Sequence, residues 1–109
     1  MRTDKELEVR IGINLRYLRT RTFKEKRNKF NQLIVRRLTQ NDLAKYLCIT
    51  FQQIQKYESA TNCLDAVKIY KLSKFFGVPL DFFFDEHLIN RQIYTKVISE
   101  DNVQQQYNI

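Results

Sequence analysis

Two short amphipathic segments with only Cys48, Ile49 and Thr50 between them constrain this chain more than any other feature. The first opens on Thr39-Gln40-Asn41-Asp42, a capping box in its shorter-acid form, in which the Thr39 hydroxyl accepts from an early backbone N–H and Asp42 reaches back to the cap. Leu43, Ala44 and Leu47 then supply one buried face. That pattern stops near Cys48, where Ile49-Thr50 starts a new element with Thr50 as its cap. The second helix, Phe51 to about Ser59, buries Ile54 and Tyr57. So brief a joint forces the two helices to cross sharply.

The flanking sequence reads as further helices. Leu7, Ile11, Leu15 and Leu18 mark one stripe of a helix from Glu6 to about Thr22, with Val9, Ile13 and Tyr17 widening it and Asp4 or Thr3 as cap. After the crossing pair, Thr61-Asn62-Cys63 is a loop, with Asn62 as the next cap and Asp65 completing a second box. Ala66, Ile69, Leu72, Phe75 and Phe76 line a longer helix ended by Gly77, and Pro79 introduces a short final helix from Leu80 to Asp85. Two glycines and one proline leave few turns of the kind that β-hairpins use. The fold class predicted is therefore all-α, a compact five-helix domain.

One stretch stands apart. Between Thr20 and Leu38 lie Arg21, Lys24, Lys26, Arg27, Lys29, Arg36 and Arg37 against the single acid Glu25. Phe30, Leu33 and Ile34 follow an i, i+3, i+4 pattern, so part of the stretch fits a helix. It reads as an enlarged basic connection between the first two helices. Beyond residue 86, Leu88, Ile89 and Ile93 fit a helix, Arg91 to Ile98 alternate as in a strand, and the end after the glutamine triplet at 104–106 is expected to fray.

The whole chain of 109 residues carries a net charge of +7, which suits a polyanionic partner, nucleic acid before a membrane surface. Cys48, Cys63 and the single histidine His87 are too few and too scattered for a disulfide framework or a four-ligand zinc site. Reduced cysteines, no apolar run at the N-terminus and no stretch of membrane-spanning length predict a cytoplasmic protein that uses no membrane. No histidine pairing, glycine-rich phosphate loop or nucleophile elbow is present to carry catalysis, so neither enzymatic activity, nor a metal, nor a cofactor is expected.

Thr39-Gln40, Leu43-Ala44, Leu47, Ile49-Thr50, Ile54 and Tyr57-Glu58 together resemble the phage-repressor/Cro-type helix-turn-helix family. The likeness extends upstream to Ile11-Gly12, Leu15 and Leu18-Arg19, and downstream to Leu72, Phe76-Gly77-Val78-Pro79-Leu80 and Phe83. It implies a DNA-binding domain over residues 1–86, with its helix-turn-helix at 39–59 and a basic insertion at 20–38. Residues 87–109 would then be a C-terminal extension that serves dimerisation. The sequence departs from the family where Cys48 and Ala60 stand in place of common glycines, and where the family's first connection is short. A Cβ costs about 1 kcal/mol if either site needs a positive φ.

In a helix-turn-helix the second helix enters the major groove. Turning 100° per residue from the buried Ile54 puts Gln52 and Lys56 nearly opposite, with Gln55 beside them and Phe51 in the first turn. These four are the predicted base contacts, with glutamine suited to adenine, lysine to guanine and the ring to a thymine methyl. Phosphate contacts are expected from Gln40, Thr50, Thr61, Asn62, Arg36 and Arg37, whereas Glu58, an acid, is expected to bond within the protein. The function this implies is sequence-specific binding of double-stranded DNA by a transcriptional repressor, dimeric on a two-fold operator. Phe83, Phe84, Leu88 and Ile89 are the predicted dimer surface. An alternative from another class is an antitoxin-like module that binds a protein partner and regulates its own synthesis.

Overall fold

The computed structural model describes residues 4–85 and 96–99. Helix α1 (Asp4–Thr20) buries Ile11, Leu15 and Leu18 of the predicted stripe together with Asn14, whereas Leu7 is only half-buried. That asparagine is polar in an apolar row because its Nδ2 lies 3.0, 2.9 and 2.9 Å from the carbonyl oxygens of Phe82, Phe83 and Asp85. It thereby satisfies the carbonyl groups of the 82–85 segment that packs over it. Helices α2 (Gln40–Leu47) and α3 (Phe51–Glu58) form the tight pair, with Thr39 and Thr50 as caps. The box at Thr39 is complete: the Asp42 N–H donates to Thr39 Oγ1 at 3.1 Å and the Thr39 N–H donates to Asp42 Oδ2 at 2.9 Å.

Helix α4 (Ala66–Phe76) is capped by Asp65, whose carboxylate accepts from the Lys68 N–H, and not by Asn62. It ends on Gly77 at φ 68°, as a left-handed terminus requires. Leu15, Leu18, Leu38, Leu43, Ile54, Leu72 and Phe83 meet in the middle with no exposed surface, and Phe76 joins them. The predicted final helix to Asp85 is a single 3-10 turn, Leu80–Phe83.

The all-α, five-helix expectation fails at the basic insertion. Thr22–Arg27 is a strand, β1, and Leu33–Arg37 is its antiparallel partner, β2, paired from Phe23 with Arg37 to Arg27 with Leu33. A third strand, β3 (Lys96–Ser99), adds to β1 in parallel, so that the order is β2-β1-β3. The scarcity of glycine misled because asparagine supplies the turn. Asn31 takes the left-handed conformation at φ 59°, and the Asn28 side-chain oxygen accepts from the N–H groups of Phe30 and Gln32, at 2.9 Å each. The apparent helical spacing of Phe30, Leu33 and Ile34 is a loop residue followed by two strand residues.

The sheet docks through its inner face. Thr22, Lys24 and Ile98 are buried there, and Thr22 Oγ1 donates to the Leu18 carbonyl at 2.8 Å. Lys24 is buried because its ammonium sits 2.8 Å from Asp42, at the start of α2, and the same carboxylate receives Arg36 at 3.4 Å. Burial acts to raise the Asp42 pKa, but the Lys24 hydrogen bond, the Thr39 N–H and hydroxyl, and the Lys24 charge outweigh it and hold the carboxyl below its ordinary range.

Two measurements test this packing. Gly12 meets the end of α3 so closely that an added Cβ would lie 2.6 Å from the Tyr57 oxygen and 2.8 Å from the Glu58 oxygen. Gly12→Ala should therefore lose about 1–3 kcal/mol in urea unfolding despite alanine's better helix propensity, and an unchanged midpoint would show that α1 and α3 separate at no cost. Asp42→Asn should lose about 3 kcal/mol at neutral pH, because it leaves Lys24 buried opposite a neutral group. A carboxyl depressed in the folded state stabilises at pH above its unfolded value of about 3.9, and that contribution disappears as pH falls through the lower folded value. Stability of the parent should thus fall in that acid window while Asp42→Asn stays flatter. Parallel pH profiles would remove Asp42 from the account.

Candidate nucleic-acid interface

The joint between α2 and α3 fixes how α3 is presented. Cys48 sits at φ 58° and ψ 44°, and its N–H reaches the Ala44 and Lys45 carbonyls, which closes α2 in a left-handed turn. Ala60, just past α3, is also left-handed at φ 61°. At both positions where this sequence lacks a family glycine, Cys48 and Ala60, a Cβ is thus held at positive φ, at about 1 kcal/mol each. Ile49 then donates back to Ala44 at 2.9 Å, and Thr50 accepts from Gln53 to start α3.

Glu58 locks the arrangement. Arg19 on α1 grips its carboxylate through two nitrogens, Nε at 2.6 Å and Nη2 at 3.1 Å, and donates to the Leu38 carbonyl through Nη1 at 3.2 Å. Gln40, the first residue of α2, donates its amide to Glu58 Oε1 at 3.1 Å. The acid on α3 therefore bonds within the protein, as its sign near a phosphate backbone suggested. The same bond occupies the Gln40 side chain. What α2 leaves open at its start is the backbone end itself.

Of the four predicted base contacts, all lie on the exposed side of α3. Ile54 is fully buried, whereas Gln52, Gln55 and Lys56 are exposed and Phe51 keeps 43 % of its surface. Gln53, which the angular reading passed over, is exposed too. The row offers amide donor–acceptor pairs, one ammonium and one ring, a set able to read base edges. Thr50, Thr61 and Asn62 are exposed at the two ends of α3. The N–H groups of Thr61 and Asn62 both turn back to the Lys56 carbonyl, at 2.9 and 3.2 Å, and the Thr61 hydroxyl pairs with Ser59 Oγ at 2.9 Å.

Arg36 and Arg37 project from β2 beside the start of α2, Arg36 over Asp42 and Arg37 toward solvent. Lys24 and Arg36 together offset the negative charge that the capping box places at that helix end. Phe83 lies wholly in the core and offers no surface to a partner, because it packs inside the chain's own helices; Phe84 is exposed, and Leu88 and Ile89 fall outside the described residues. Cys48 and Cys63 are free and exposed. Among the described residues no group of three or more histidine, cysteine or acidic side chains could hold a metal, and no helix is long and apolar enough to cross a membrane. The buried role of Lys24 had no sequence signal, since its acid partner stands 18 residues away.

Residues 36–83 match the helix-turn-helix family. Over 49 residues the chain is 43 % identical to an uncharacterized transcriptional regulator in the ATPase CF(0) region of Rhodospirillum rubrum, covering 45 % of each chain. It is 45 % identical over 49 residues to an uncharacterized HTH-type transcriptional regulator of Sinorhizobium medicae, covering 45 % of this chain and 35 % of that one. The chain thus spans less than half the length of these curated relatives. No solved structure matches it. Gln40, Leu43, Ala44, Leu47, Ile54 and Glu58, with the caps and left-handed joint that set α3 against α2, all fall within the matched span, and residues 36–83 are a helix-turn-helix of the phage-repressor/Cro-type family.

Proposed function

We propose that this chain binds double-stranded DNA sequence-specifically and regulates transcription; the relatives it matches are named as transcriptional regulators. The observation that carries the reading is the exposed row of α3, Phe51, Gln52, Gln55 and Lys56, on a helix whose opposite side is pinned by Ile54 and Glu58. Laid in a major groove, Gln52 and Gln55 pair with adenine edges, Lys56 donates to guanine and Phe51 touches a thymine methyl. Thr50, Thr61, Asn62 and the N-terminal backbone at Gln40 flank that row and take phosphates, with Arg36 and Arg37 extending the contact along the strand. The protein acts in the cytoplasm as a dimer on a two-fold operator, because one half-site of this size seldom gives useful specificity, and its occupancy of that site represses. Residues 1–86 form the binding domain in this reading, and the segment beyond is an extension.

Selection from random duplexes should return an A·T-leaning palindrome. Gln52→Ala and Lys56→Ala should each weaken binding to it by about 1–3 kcal/mol and relax one position. Arg37→Ala should weaken all duplexes alike and lower the log–log salt slope by about 0.9. Equal affinity for every duplex, or losses that ignore sequence in the α3 variants, would overturn the assignment of bases to α3.

A further inference from the structure

Strand β2 carries an exposed apolar run on an open sheet edge. Leu33, Ile34 and Val35 keep 52, 45 and 51 % of their surface, although they lie in regular strand and alternate between both faces of the sheet. The order β2-β1-β3 leaves the outer side of β2 without a neighbouring strand among the described residues. Hydrogen bonds from Asn28 to the Gln32 carbonyl and from Leu38 to the Thr22 carbonyl bracket the ladder. By alternation Ile34 and Arg36 bond inward to β1, so the N–H and C=O groups of Leu33, Val35 and Arg37 point outward. Proteins usually blunt such an edge with charge, proline or a bulge, and β2 does so only at its Arg36-Arg37 end.

We propose that β2 is the strand through which two copies of this chain pair, antiparallel about Ile34, so that two three-stranded sheets become one. The strand's own sequence selects the occupant. Centred on Ile34, the pairing sets Ile34 against Ile34, and Val35 against Leu33 of the second copy, which covers the apolar run with itself on both faces. Arg36 and Arg37 then fall opposite Gln32 and Asn31 of the second copy, two polar side chains. Centring on Val35 would set both arginines against aliphatic side chains, and centring on Arg36 would set guanidinium against guanidinium. The closed two-fold pairing also satisfies the outward groups of Leu33 and Val35 reciprocally. The inference supplies a surface for the dimer proposed above, and it is tested without DNA.

Sedimentation equilibrium of the full chain should show a reversible dimer in the micromolar range. Ile34→Lys should raise its dissociation constant by at least about tenfold, while the thermal midpoint read at concentrations where both proteins are monomeric holds, since Ile34 is exposed in the single chain. In a Cys48→Ser, Cys63→Ser background, Ile34→Cys should oxidise to a disulfide-linked dimer, because facing residues of a non-hydrogen-bonded pair lie within bridging range. Val35→Cys, a diagonal from its own copy, should lag well behind. A parent chain that stays monomeric to roughly 100 µM, an Ile34→Lys dimer of unchanged strength, or faster cross-linking at Val35→Cys would each overturn the proposal. A half-site duplex still bound by monomeric Ile34→Lys would leave the DNA reading standing on its own.

Discussion

Three helices converge on one carboxylate. Glu58, near the end of α3, accepts from Arg19 of α1 and from Gln40 of α2, so the angle at which α3 is presented is set by a single acid whose side chain is buried. Arg19 and Gln40 also bracket the basic insertion. Everything from Thr20 to Thr39 leaves the core beside Glu58 and returns to the same place. An excursion whose ends are already held together adds little strain to what it interrupts, since each doubling of a flexible connection costs only about 0.6 kcal/mol. This is why a hairpin fits between the first two helices while Arg19 and Gln40 still meet on Glu58.

The insertion is nevertheless fastened. Lys24 and Arg36, facing each other across β1 and β2, both meet Asp42, which also completes the cap of α2. One side chain therefore starts a helix and anchors a sheet. A buried pair of this kind is weak evidence of net stability, but it specifies position, because a displaced hairpin would leave Asp42 and Lys24 without each other in a dry setting. The charge on the insertion is thus divided between a few groups that hold it in place and the larger number left at its surface.

The helices were legible because their signals are local. The Thr39 box, the Thr50 cap, the stripe Ile11-Leu15-Leu18 and the stop at Gly77 each lie within one or two turns of what they control. The left-handed sites at Cys48 and Ala60 were legible as places where glycine was missing. The sheet was not, for two physical reasons. Its turn uses Asn28 and Asn31 where glycine would have announced it, and the burial of Lys24 depends on an acid in another element. The same limit applies to the cap of α4, where Asn62 and Asp65 offer equivalent chemistry and only the path of the loop chooses between them. On α3 the exposed row was readable from the turn angle alone, whereas the engagement of Gln40 with Glu58 was not.

The parallel pairing of β1 with β3 joins the second element of the chain to the last one described. During synthesis α1 to α4 emerge first and close in far less time than a ribosome takes to add a residue. For roughly a second thereafter, the interval needed to deliver the segment after Asp85, β1 has hairpin on one side and nothing on the other. The sequence Thr22-Phe23-Lys24-Glu25-Lys26-Arg27 is dense in charge for a central strand. That density keeps an unfinished edge from recruiting a stray strand, so β1 is written as an edge for the nascent chain and becomes central only when β3 arrives.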